Sequence, residues 1–311
     1  QRITLSMPPR PRDDGLSEVV GFVLLLGVIV VALSLYQVYG VPAAGREAEI
    51  QHMNMVKDRF VDYKIALDSL WVNNRSGVLL STAFDLGTGA PATGGTAFSF
   101  PILTPAGSGG TVRVREGGAN LTVTAQKEGE EISTLIQDLP LGNLTYTSSN
   151  HYWVDQTWTY QMGAVFLSQD GGATVRVGPS IAVAKREDDN ITLTVAPISL
   201  EGSDMIAGSG PVRIETRMPW SNTSSVEAYG RVNLTIEADN EMAAGAWKRA
   251  FDEVRQRAIK EEGVDPSWLS ARLNGNTAWL TIEPKDDKKV FLTVYRANYT
   301  VTIHNAASLV E

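Results

Sequence analysis

Between Val19 and Gly45 the chain carries no Asp, Glu, Lys or Arg, and Val19 to Tyr36 is almost wholly apolar. A bilayer's hydrocarbon core takes about 20 helical residues, so this segment is long enough to span one. Tyr36 and Tyr39 stand at its far end, where interfacial aromatics belong. Arg2, Arg10 and Arg12 precede it, whereas Arg46 behind it is diluted by Glu47 and Glu49. The positive-inside tendency then places the N-terminus in the cytoplasm and the bulk of the chain outside. A cleavable secretory signal would be shorter and end in a small-x-small site, which Pro42-Ala43-Ala44-Gly45 matches only weakly.

Beyond Gly40 and Pro42 the helical pattern resumes. Ile50, Met53, Val56, Phe60, Tyr63, Leu67 and Leu70 are spaced by three or four, which makes one apolar stripe on an amphipathic helix. Asn73-Asn74-Arg75-Ser76-Gly77 stops it. One long helix is expected, apolar all round in its first half and apolar on one face in its second. A weak point at Gly40–Pro42 is expected between them, since proline removes a helix hydrogen bond. The second half must lie against something, most simply a sheet of its own domain.

The remainder reads as strand after strand. Thr111–Arg115, Asn120–Thr124, Thr174–Val177, Asn190–Val195 and Val232–Ile236 alternate polar and apolar, as sheets with one wet face do. Glycine pairs at 94–95, 109–110, 117–118 and 171–172 read as hairpin turns. A late helix is capped by Asp239 or Asn240, carries the stripe Trp247, Phe251, Val254 and Ala258, and ends at Gly263. Strands 278–282 and 290–303 follow, separated by a charged turn. The fold class is therefore α+β: a long N-terminal helix attached to a mostly antiparallel β domain, sandwich or barrel-like, with one late amphipathic helix. The expected divisions are an arm or leader at 1–15, a hydrophobic helix at 16–40, an amphipathic helix at 41–72 and a β-rich domain at 73–311. A split of that domain near residue 150 is an alternative.

Chemistry-bearing patterns are sparse. The absence of cysteine removes thiolate catalysis, thiolate-bound metals and disulfides. His52, His151 and His304 are scattered, and neither Asp188-Asp189 nor Asp286-Asp287 belongs to an EF-hand loop. No enzyme activity, metal or cofactor is expected. A formal net charge of −8 without a basic stripe disfavours general nucleic-acid binding, and no nucleic-acid partner is expected. The aromatics Tyr152, Trp153, Trp158 and Tyr160 suit core packing better than a carbohydrate-binding or subunit-contact face. Seven Asn-x-Ser/Thr sequons stand at Asn74, Asn120, Asn143, Asn190, Asn222, Asn233 and Asn298, against roughly two by chance. All follow the apolar segment, so N-linked glycans are expected. The competing reading is that Asn-Leu-Thr simply suits the start of a strand.

Asp14-Gly15-Leu16-Ser17-Glu18-Val19-Val20-Gly21-Phe22, its apolar continuation and the amphipathic stretch to Trp71 resemble the archaeal form of the type IV pilin superfamily. A weaker likeness to archaeal pilin-like proteins lies in Gln169-Asp170-Gly171-Gly172-Ala173 and the helix around Trp247 and Phe251. The resemblance implies processing between Gly15 and Leu16 by a membrane peptidase. It also implies filament assembly through Glu18, Phe22, Leu25, Val28, Leu33 and Tyr36. Two departures stand out: Asp13 and Asp14 replace the usual basic residues, and Glu18 would be third after the cut instead of fifth. The implied partners are copies of the same chain, the membrane before assembly and the pilus assembly machinery. The implied function is a structural filament subunit with a glycosylated outer domain for surface contact. The alternatives are a monomeric membrane-anchored surface protein or minor pilin, and an exported enzyme or carbohydrate binder on a stalk.

Overall fold

The computed structural model describes residues 14–89 and 103–305. Helix α1 (Asp14–Leu35) passes through a π-turn at Tyr36–Gly40 into α2 (Val41–Val72) without interruption. The weak point expected at Gly40–Pro42 takes the form of this π-turn, and the helix continues through it. The Val41 N–H reaches back to the Tyr36 carbonyl, and this wider turn accommodates a proline ring that would clash in a regular α-turn. Gly40 matters here because a Cβ would sit 2.7 Å from the Tyr36 ring.

Strands β1 (Leu79–Asp85), β2 (Gly109–Arg115), β3 (Ala119–Gln126), β4 (Ser133–Pro140), β5 (Asn143–Ser149) and β6 (Thr157–Gln161) come next. They are followed by β7 (Ala164–Gln169), β8 (Gly172–Val177), β9 (Ile181–Lys185), β10 (Ile191–Val195), β11 (Ile198–Glu201) and β12 (Met205–Gly208). The last are β13 (Pro211–Thr223), β14 (Glu227–Tyr229), β15 (Arg231–Ala238), then α3 (Glu241–Lys260), β16 (Leu269–Asn274), β17 (Thr277–Ile282) and β18 (Val290–Asn305). One sheet runs β1-β13-β18-β10-β9, with β11 and β14 also on β18. A second runs β12-β2-β5-β6-β7-β8, and a third β16-β17-β15-β3-β4. Pairing is antiparallel except where β10 and β11 join β18.

Two apolar cores form. One gathers the α2 stripe, Tyr146, Trp158, Tyr160 and the second half of β18. The other gathers α3 around Trp247 and Phe251 with the inner face of the third sheet. They share walls. In β7, Ala164 and Phe166 face the α3 core while Val165 and Leu167 face the α2 core. That explains an unbroken apolar run, since a strand buried on both faces has no reason to alternate. In β18, Val290, Leu292 and Val294 serve one core and Ala297, Tyr299, Val301 and Ile303 the other, so the buried parity switches mid-strand. Strands pair across residue 150: β5 with β6, and β3 with β15. Gly109 and Gly110 also depart from expectation. They begin β2, paired with Ser149 and Ser148 of β5, and glycine is needed at 110 since a Cβ there would meet the Leu86 carbonyl and Tyr146 hydroxyl at 2.5 Å. The pair at 94–95 lies outside the described residues. Asn240 caps α3 by accepting from the Ala243 N–H at 2.9 Å.

Candidate functional site: an uncovered helix and its clamp

From Val19 to Tyr39 every residue of the helix is exposed. Phe22, Leu25, Val28, Leu33 and Tyr36 are all exposed, Phe22 at 65%. The apolar stretch is long and apolar enough to cross a membrane. At 1.5 Å per residue, the 22 residues of α1 span about 33 Å. Ser34, the one hydroxyl between Val19 and Leu35, donates to the Val30 carbonyl at 2.7 Å and so needs no outside partner. Glu18 is exposed at the base of the apolar run. Gly15 and Leu16 fall in the first turn of α1, while Arg2, Arg10, Arg12 and Asp13 lie outside the described residues.

The α2 half is held by the domain at both ends. At its start Gly45 packs under Tyr152, whose ring lies 2.3 Å from where a Cβ would be. Arg46 stacks over Trp153 at 4.5 Å. The buried Glu49 carboxylate accepts the His151 and Tyr152 N–H groups at 2.7 and 2.8 Å. Two charge-assisted bonds offset the cost of removing that carboxylate from water. One turn further, buried His52 donates from Nε2 to the Asp85 carbonyl at 2.9 Å.

Along the middle, Met53, Val56, Phe60, Tyr63, Leu67 and Leu70 are buried, as the periodicity requires. Each large apolar side chain there contributes about 1.5–3 kcal/mol of burial. Polar ties mark the far end. Tyr63 and Thr216 share a hydrogen bond of 2.9 Å, Tyr299 donates to the Leu67 carbonyl at 2.7 Å, and Ser180 donates to Asp68 at 3.1 Å. Burial raises the Tyr63, Tyr160 and Tyr299 hydroxyls well above their ordinary range, and the Asp68 carboxylate adds to this at Tyr160 and Tyr299. The hydroxyl of Tyr160 is buried with no hydrogen bond of good geometry among the described residues, and the Gly163 backbone N–H is the one group that eases its ionisation.

Glu49 and His52 are site residues that the apolar stripe alone leaves out. The signal was present: Val41, Gly45, Glu49, His52 and Val56 repeat at intervals of three and four, so two polar residues stand at the phase of the buried face. The four clustered aromatics divide: Trp158 and Tyr160 are buried in the core, and Tyr152 and Trp153 close over α2. His151 is exposed, and His304 faces Glu215 at 3.3 Å.

The sequons separate by exposure. Asn74, Asn120 and Asn222 are exposed; Asn143, Asn190 and Asn233 are half-buried. Asn298 corrects the expectation. It is 9% exposed and its Nδ2 donates to Glu201 at 2.6 Å, so the folded chain has no room for a saccharide there. Asn-Tyr-Thr at that point is interior strand chemistry in β18.

No curated protein and no solved structure matches the chain. Residues 108–296 match a family described as a family of unknown function, DUF7289. The match opens just before β2 and closes within β18, leaving α1 and α2 outside it. With more than half of its length matched, the chain belongs to this family, DUF7289.

Proposed function

We propose that the protein is a structural subunit of an extracellular type IV pilus-like filament, held in the membrane before assembly with its N-terminus in the cytoplasm. The observation that carries this reading is the 55-residue helix Glu18–Val72, half uncovered and half clamped. A helix apolar on every side is stable only in lipid or among other apolar helices. Copies of the same chain supply such surroundings through Phe22, Leu25, Val28, Leu33 and Tyr36, with Glu18 at the base and the assembly machinery acting after a cut between Gly15 and Leu16. N-linked glycans belong first on Asn74 and Asn222, which are exposed near one another: Ser221 donates to Asn74 Oδ1 at 2.6 Å.

The second reading is a monomeric membrane-anchored surface protein or minor pilin. It is favoured by the same α1, whose length already matches one bilayer core. Leu25→Asp tests the two. A charge at that depth costs about 2.5–3.5 kcal/mol on insertion scales. Electron microscopy of cell-surface material should show helical filaments from the native chain and none from the variant. Undiminished filaments in the variant would sink the filament reading. A native chain that is surface-exposed but never filamentous would establish the anchor.

A further inference from the structure

The third sheet turns its apolar residues inward to α3: Leu121, Val123, Leu234, Ile236 and Leu280 are all fully buried. The alternate residues therefore form an outer face, and the register aligns them in rows. Thr122 stands opposite Thr235, which stands opposite Trp279. Thr124 stands opposite Asn233, which stands opposite Thr281. All six are half-buried, as mid-sheet residues on a wet face are. Such a lattice repeats at about 4.8 Å across the strands and about 6.8 Å along them.

Three properties distinguish this face. It is rich in groups that both donate and accept hydrogen bonds. They are already ordered among themselves: Thr281 Oγ1 donates to Asn233 Oδ1 at 2.7 Å, and Asn233 Nδ2 donates to Thr235 Oγ1 at 3.0 Å. Trp279 lies within the array, and its indole N–H makes no hydrogen bond among the described residues. The charges on the face are few and of both signs, Asp138 and Glu237 against Arg231 and Arg272. Arg231 pairs with Glu283 at 3.8 Å at the margin of the face, away from the Thr and Asn rows.

We propose that the outer face of β3, β15 and β17 binds a neutral polysaccharide. Trp279 supplies the flat apolar platform for a sugar ring, and Thr122, Thr124, Thr235, Thr281 and Asn233 supply hydrogen-bonding groups at fixed spacing. A face with no dominant sign of charge complements an uncharged, polyhydroxylated chain. A shallow depression of about 120 Å³ beside Thr124 and Asn233 is lined by β3 and β15, with Arg231 at its edge. The sequons Asn120-Leu-Thr122 and Asn233-Leu-Thr235 each put both functional residues on this face, so they serve the array, and Asn233 stays unmodified.

The test uses the full chain in detergent micelles, mixed with insoluble cellulose, chitin and mannan and washed at low and high salt. The native chain should be retained on at least one polymer, equally at both salt concentrations. Trp279→Ala should lower retention about tenfold, and Trp279→Phe should keep most of it. If Trp279→Ala fails to fold by thermal melt, Thr235→Arg serves instead, since it crowds the outer face without entering the core. Four outcomes overturn the proposal: no retention of the native chain, full retention by the folded variants, retention lost at high salt, or a saccharide found on Asn233 by mass spectrometry. A fifth is loss of filaments with retention unchanged, which would make the face a contact between copies. Because the assay needs no filament, it stands apart from the outcome with Leu25→Asp.

Discussion

The two halves of the N-terminal helix share a backbone and differ in what covers them. Phe22 in α1 is 65% exposed, whereas Phe60 in α2 is completely buried. The same residue type in the same secondary structure thus does opposite work. In α2 it is part of the folding energy of the domain. In α1 it contributes nothing to that domain and is left for lipid or for another helix. Helix formation alone says little about where a helix's stability comes from, because tertiary packing supplies most of it.

The largest expected effect comes from removing each half in turn. A chain beginning at Val41 keeps the clamp and the stripe and should be soluble, monomeric and cooperatively folded. A chain beginning at Asn73 opens the α2 core along its length and should aggregate. Size-exclusion chromatography and a thermal melt compare them, and equal behaviour would mean that α2 is dispensable to the fold.

A smaller effect should follow from paired substitutions. Phe60→Ala should destabilise the domain by about 3–5 kcal/mol. Phe22→Ala should leave its unfolding within about 0.5 kcal/mol, as surface changes do. Chemical denaturation of the detergent-solubilised chain measures both.

The finest effect is in alkaline solution. The buried tyrosines around α2 have raised folded-state pKa values, so their contribution is fully present below the ordinary tyrosine pKa near 10 and is lost as pH rises through the folded values. Each should cost about 1.4 kcal/mol of stability per pH unit above roughly 10 until its folded pKa is reached. Tyr160→Phe should flatten that slope while leaving stability at neutral pH unchanged or slightly higher, since its hydroxyl has no hydrogen bond of good geometry among the described residues to lose. An unaltered alkaline profile would show that Tyr160 is not the buried acid the fold makes it.

The contrast between the halves was legible in the sequence, because both are statements about periodicity. Met53 to Leu70 and Trp247 to Ala258 repeat every three or four residues and are buried at that spacing, whereas Ile50, the first residue of the expected stripe, is half-buried and Glu49 takes the inward position. Short alternating strands such as Thr111–Arg115 were legible for the same reason. What periodicity cannot carry is the identity of a distant partner. Glu49 is buried because two N–H groups more than a hundred residues away point at it. The parallel pairing of β10 with β18 joins residues about a hundred apart and leaves no local mark. Asn298 looked like a surface sequon because its motif is local, whereas its burial depends on Glu201 across a strand pair. The outer array on β3, β15 and β17 escaped notice because its rows exist only once three separate strands are aligned.

The spacing of the ties along α2 has a mechanical consequence. Glu49 and Asp68, the outermost polar anchors, are separated by about 28 Å of helix, with Tyr63 and the Leu67 carbonyl between them. A pull on the N-terminal end acts along the helix axis, in the plane of these contacts. The anchors are therefore loaded together, in shear, and none can be opened first and alone as in a peeling joint. Tension carried by the helix passes into the Tyr299 end of β18 and along a strand that forms part of both cores.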